Sequence, residues 1–252
     1  MVAQRKVALP RSPVVLVPIV ALAVALVLPV PPIVKLAIVG IPTLVVAAPL
    51  RRLFLDRWQA RASSLGLNYV GSDPFDTRRA LAMPLFRRGG GGRTANVMHG
   101  RWRGAEVRLI RMSWHTARTN QDEDWWLGLT PIAARTSPLH IGKVPPDEHA
   151  IDELGLERVR FELGAFNDAY LVYAADPYVA TAFVDQQMIA WLMESDPQWD
   201  YQVADGWVMC MREKLRARPD PYDLEPVLGA LLAFRDRVPR AALSLFGPEA
   251  ER

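Results

Sequence analysis

An α+β fold behind an N-terminal two-helix transmembrane hairpin is what this sequence predicts, and three observations predict it. Residues Pro13–Leu50 form an apolar stretch whose only charge is Lys35. Beyond it, short alternating runs come in pairs around Arg103-Gly104 and Asp205-Gly206, as antiparallel β-hairpins do. Apolar residues also recur at helical spacing behind Asp176-Pro177 and Asp223. The expected organisation is an anchor over 1–52, then a soluble domain over 53–252. That domain should hold antiparallel β-hairpins with two or three packed helices and a subdomain boundary near 145–150.

The anchor follows from length. As one helix the stretch Pro13–Leu50 would be roughly 55 Å long, against a hydrocarbon core of about 30 Å. Pro29, Pro31 and Pro32 interrupt it, because proline lacks an amide donor and turns its predecessor away from helix. Two spans result, 13–28 and 33–50. Each has an internal proline, Pro18 and Pro42, which a neighbouring helix can accommodate. Ala37, Gly40 and Ala47 allow close helix approach. Arg5, Lys6 and Arg11 precede the first span, and Arg51, Arg52, Arg57 and Arg61 follow the second. Basic flanks stay cytoplasmic, so two crossings put both ends and the domain there. The competing readings are a single span with the second run lying in the interface, and a cleaved signal peptide.

Composition narrows the rest. The single cysteine, Cys210, excludes an internal disulfide framework and a Cys-based zinc site. The net charge of +3 conceals a division: 18 Lys+Arg against 4 Asp+Glu up to Arg118, and 12 against 23 from Thr119. Either the basic part meets anionic lipid, or the two parts face each other within one fold. Arginine outnumbers lysine 26 to 4, in keeping with a GC-rich coding sequence, so the excess is not all selection for phosphate.

The elements follow in order. Leu53–Leu65 has apolar residues at helical spacing with arginines between them, the pattern of a juxtamembrane amphipathic helix with Trp58 near the lipid interface; packing on the domain is the alternative. Leu67–Val70 is a strand and Gly71–Pro74 a turn. Arg87–Thr94, with four glycines, reads as a flexible hairpin tip. It lacks the Gly-Lys-Ser/Thr ending of a phosphate loop. Asn96–Trp102 and Ala105–Trp114 form the first hairpin. Thr116–Asp124 reads as a polar loop, Trp125–Pro131 and Leu139–Val144 as strands, and Pro145-Pro146-Asp147 as a linker. Arg158–Leu163 and Ala169–Ala174 pair across a loop at 164–168. One helix runs from Asp176 to Ser195, with Asp as cap and proline at the first position. Trp199–Val203 and Trp207–Met211 make the third hairpin. The last helix starts at Asp223, with Leu224, Val227, Leu228, Leu231 and Leu232 as its buried stripe, and Pro239 ends it.

Four motifs stand out: Asn96–Gly104, Ala165-Phe166-Asn167 leading to Tyr170 and Val172, Asp176-Pro177, and Asp205-Gly206-Trp207. In these the chain resembles a family of uncharacterised membrane-anchored proteins of high-GC bacteria built on a domain of unknown function. The resemblance implies an anchor and one domain, and it supplies no catalytic residues.

Of the four histidines (His99, His115, His140 and His149), none lies in a His-Glu-x-x-His motif. The best metal candidates are His115, Asp122 and Asp124, against a solvated acidic loop as the simpler account. No Gly-x-Ser-x-Gly elbow exists. Cys210 alternates with apolar neighbours, as a buried small hydrophobe does. Trp102, Trp114, Trp125 and Trp126 read as core, with an exposed aromatic platform as the alternative. Two functional readings follow. In the first, a multi-pass cell-membrane anchor displays a non-catalytic binding or scaffold module on the cytoplasmic face. Its partners are a protein or anionic lipid headgroups met by the membrane-proximal Arg51, Arg52, Arg57 and Arg61; no cofactor and no nucleic acid is expected. In the second, a membrane-associated, metal-dependent enzyme places its site at 113–124. The lack of a catalytic constellation favours the first, and nothing sets the oligomeric state.

Overall fold

The structure, a computed structural model, describes residues 56–89, 92–116, 121–195, 199–212 and 224–247. The expected spans 13–28 and 33–50, together with Arg51, Arg52 and the capping Asp223, lie outside the described residues. Among the described residues no helix is long and apolar enough to cross a membrane. The chain divides into two compact units, Met1–Arg57 and Trp58–Arg252.

The second unit is α+β, built on one nine-stranded sheet in the order β1-β2-β3-β4-β9-β8-β5-β7-β6. Every neighbouring pair is antiparallel. The strands are β1 (Leu67–Ser72), β2 (Arg93–Trp102), β3 (Ala105–Thr116), β4 (Gln121–Pro131), β5 (Leu139–Gly142), β6 (Glu157–Val159), β7 (Leu171–Ala174), β8 (Trp199–Ala204) and β9 (Trp207–Arg212). Two of the expected hairpins close through turns in which both central residues have positive φ. These are Arg103 (48°) with Gly104 (82°), and Asp205 (53°) with Gly206 (81°). That is the geometry of a type I′ turn, whose twist matches the flanking strands, and glycine at its second position carries no steric cost.

Strand alternation gives the sheet two apolar faces. One buries Val107, Leu109, Trp126, Ile141, Val172, Val203 and Cys210 beneath helices. These helices are α1 (56–64), α4 (Gly164–Ala169), α5 (Pro177–Phe183), α6 (Gln186–Glu194), α7 (Leu224–Arg235) and α8 (Arg240–Leu245). The expected stripe of α7 is buried residue for residue. Tyr201 stacks on Phe234 of this helix at 4.4 Å between ring centroids. The opposite face buries Val97, Ile110, Met112, Trp114, Leu127, Leu129 and Met209. Its cover is the segment from Asp73 to Gly89, which contains α2 (Thr77–Ala80) and a 3-10 turn (Pro84–Arg87). Helix α3 (Glu148–Leu154) packs beside that turn.

Several expectations are corrected. Trp58 is not at a lipid interface. It is 4% exposed and lies 4.9 Å from Trp126, centroid to centroid, so α1 is a core-packed helix. The polar run Gln121–Asp124 belongs to β4 and continues the ladder with β3, backbone pairing overriding weak strand propensity. Residues 164–168 are helical. The helix from Asp176 divides at Val184–Asp185, where Asp185 caps a second helix by accepting from Met188 N at 2.7 Å. Asp147, assigned to a linker, caps α3 through His149 N at 3.2 Å. The glycine run is no free tip at its ends. Gly89 N donates to Asp147 Oδ1 at 3.1 Å, and Gly92 is buried so tightly that an added Cβ would lie 2.6 Å from Trp114 Nε1.

Replacing Trp58 by alanine separates the two accounts of α1. A core tryptophan predicts a loss of about 3 kcal/mol of stability. Chemical denaturation of the two proteins measures it, and an interfacial side chain would change the midpoint little.

Candidate functional site

Beneath the 3-10 turn the sheet carries a buried polar cluster instead of apolar side chains. The β5–β8 register places His140 opposite Gln202 and Ile141 opposite Tyr201. Alternation therefore aims His140, Gln202 and Asp200 at one face. All three are buried, at 2%, 2% and 5% exposure. His140 Nε2 donates to the Val144 carbonyl at 2.9 Å, and Gln202 Nε2 lies 3.3 Å from His140 Nδ1. The first bond fixes the Nε2–H tautomer, so Nδ1 accepts from the Gln202 amide. Gln202 Oε1 in turn accepts from Leu85 N at 2.9 Å, which ties β8 to the covering segment. Asp200 Oδ1 accepts from Lys143 N at 3.0 Å, just after β5. A side chain at Gly142 would run into Asp200 and come 2.8 Å from His140 Nε2.

Burial pushes the His140 pKa down to about 4, opposed only in part by the Val144 bond. The imidazole is thus neutral, with both nitrogens occupied, and holds backbone rather than moving protons. Burial also raises the thiol of Cys210 and the phenol of Tyr201 on the other face, leaving both protonated at neutral pH.

Further along the cluster's face, Arg108 lies between aromatic rings. Its guanidinium carbon is 3.9 Å from the Phe75 ring centre and 4.1 Å from that of Trp207. Glu106 is 3.6 Å away, and His99 meets Phe75 edge-on at 5.3 Å. Partial burial lowers the Arg108 pKa, with Glu106 opposing; arginine nonetheless remains charged. This arrangement fastens the start of the covering segment to β3 and β9 by cation–π contact.

The residues expected at a metal site are placed by the backbone: His115 pairs with Asp122, and Ser113 with Asp124, across the β3–β4 ladder. His115 and Asp122 are therefore direct cross-strand neighbours rather than parts of a loop. Among the described residues no group of three His, Cys, Asp or Glu side chains is placed to hold a metal ion. Of the arginines expected near the membrane, Arg57 is exposed, and Arg61 pairs with Glu225 of α7 at 3.2 Å. Trp102, Trp114 and Trp126 are buried, as core packing requires, and Trp125 is half-buried. Sequence reasoning missed Asp200, Gln202 and Arg108. The signal was present as polar residues on the outward positions of otherwise apolar strands, a pattern that ordinarily marks a solvated face.

Fold and cluster together define a single-sheet α+β domain, with helices on one face and a clamped segment on the other. No protein-family model and no curated protein matches the chain. Among solved structures, it is similar to the crystal structure of the mycobacterial trehalose monomycolate transport factor A, TtfA. Identity is 16% and the TM-score 0.47, over 72% of this chain and 92% of that one.

Two measurements test the cluster. The folded His140 pKa lies below the ordinary value of 6.5, so the unfolded chain binds a proton that the folded chain refuses. Stability is full above about pH 6.5 and declines as pH falls toward 4, by up to about 3 kcal/mol from this group. Denaturation of the wild type and His140→Gln across that window should show the shallower slope in the variant. Gly142→Ala should cost about 1–3 kcal/mol through overpacking, read as a lowered denaturation midpoint.

Proposed function

We propose that this chain is a membrane-anchored, non-catalytic binding or scaffold module, with its α+β domain on the cytoplasmic face of the cell membrane. The observation that carries the reading is the Pro13–Leu50 stretch, with one charge in it and basic residues at both flanks. The buried cluster supports it from the other side. His140 and Gln202 hold backbone and each other, Asp200 holds Lys143 N, and Cys210 is a protonated core thiol, an inventory suited to rigidity.

One observation favours a second reading, a metal-dependent enzyme. The β3–β4 register pairs His115 with Asp122 and Ser113 with Asp124. Stoichiometric metal in the purified protein, lost in His115→Ala, would support that reading over the first.

Topology tests the main proposal. A reporter fused after Arg252 that is active only in the cytoplasm should give signal, and one active only outside should not. The reverse outcome would place the domain in the cell envelope and overturn the cytoplasmic assignment.

A further inference from the structure

The charge division of the sequence becomes a spatial one in the sheet. From Trp58 to Thr116 the chain has ten arginines and three acidic residues, and it builds α1, β1–β3 and the covering segment. From Leu139 to Glu194 it has three basic and ten acidic residues, and it builds β5–β7 and α3–α6. The strand order sets β1–β3 and β5–β7 at opposite ends, with β4, β9 and β8 between them, while the covering segment and α3 meet on the face of the sheet. The two groups meet where α3 packs beside the 3-10 turn: Arg87 lies 3.2 Å from Glu153, and Gly89 N donates to Asp147 Oδ1.

The acids at the basic end are all engaged. Asp73 accepts from Phe75 N, Thr77 N and the Thr77 hydroxyl. Asp76 sits 3.5 Å from Arg79, and Glu106 faces Arg108. Beyond Arg79, the exposed arginines here are Arg93, Arg103 and Arg101, the last opposite Glu106 in the β2–β3 ladder. Strand β1 forms the edge and carries no charge in Leu67–Ser72. It pairs with β2 only from Ala95 to Gly100, so Arg93 and Arg101 lie just beyond its two ends. They are about 26 Å apart along the strand, at 3.3 Å per residue. Arg103 follows in the turn, seated 4.2 Å over Trp102. Positive groups spread this widely along an uncharged edge do not converge on a small ligand. They match an extended negative surface.

We propose that the β1–β2 edge docks against an anionic bilayer through Arg93, Arg101 and Arg103. This rests on the membrane-anchored reading above and adds which side of the domain meets lipid. The anchor keeps the domain within reach of the surface potential, where each arginine favours the docked state by about fivefold. The acidic end then faces away from the lipid, because its own charge is repelled.

The test uses the full chain in lipid nanodiscs, one set of phosphatidylcholine alone and one of equal parts phosphatidylcholine and phosphatidylserine. Amide hydrogen exchange is followed in 67–72 and 93–103. Exchange should slow severalfold in the anionic discs, and high salt should remove the difference. The triple variant Arg93→Gln, Arg101→Gln, Arg103→Gln should lose it while exchanging as the wild type does in the phosphatidylcholine discs. Glu157→Lys with Glu162→Lys, at the far end, should retain it. Equal exchange in both discs, or a lipid difference that survives the triple variant, overturns the docking and leaves the anchor standing. Edge protection that ignores lipid and grows with protein concentration assigns the edge to a second copy and likewise overturns it. A chain that enters neither disc overturns the anchored reading and the docking together.

Discussion

A sheet with two apolar faces needs two covers, and among the described residues a layer of helices covers only one. The bond from Leu85 N to Gln202 Oε1, with that from Ala82 N to Asp205 Oδ2 at 2.8 Å, is what allows an irregular segment to serve as the other. A segment with so little regular structure leaves backbone donors without ladder or helix partners. Burying it is feasible only where the sheet presents acceptors. Gln202 can present its oxygen because its amide is held on His140, and His140 is held by the carbonyl of Val144. The chain of bonds therefore runs from the covering segment through β8 to the exit of β5. In the low dielectric of the interior, removing one member strands the others.

The same logic accounts for the chemistry of the ionisable groups. Burial drives each toward its neutral form, down for the imidazole of His140 and up for the thiol of Cys210 and the phenol of Tyr201. Arg108 is the exception that stays charged, and it does so between two rings and beside a carboxylate. The imidazole, thiol and phenol of the interior are thus neutral, and the buried carboxyl of Asp200 beside them accepts from Lys143 N.

How much of this was legible follows from which interactions are local. The hairpins at Arg103-Gly104 and Asp205-Gly206 were read because turn chemistry is a property of two residues. The α7 stripe was read because a period of 3.6 shows within four turns. Trp58 was misplaced because an amphipathic helix looks the same against lipid and against a sheet; only its partner, Trp126, distinguishes them. Gln121–Asp124 were misread because strand pairing with 113–116, not local propensity, makes them β. The cluster was invisible for a stronger reason. His140 and Gln202 are 62 residues apart, and Leu85 lies 117 residues before Gln202. Each alone looks like a polar residue on a solvated face.

Sheet order converts a linear property into a mechanical one. The segregation of charge along the sequence would have no external consequence if basic and acidic strands alternated in the sheet, since neighbouring side chains would neutralise one another within a Debye length of about 8 Å. Here β1–β3 are consecutive at one edge and β5, β7 and β6 at the other, separated by β4, β9 and β8. The ends lie farther apart than the screening length at about 4.8 Å per strand, so each end presents its own sign to whatever it approaches. Rigidity matters to that outcome, because a flexible domain could fold its acids back onto its arginines. The clamp of Gln202 and His140 holds the covering segment in a fixed place on the sheet, so that it meets the acidic group through Arg87 on Glu153. The buried polar network and the surface charge pattern are in this sense one device: the first keeps the second from collapsing.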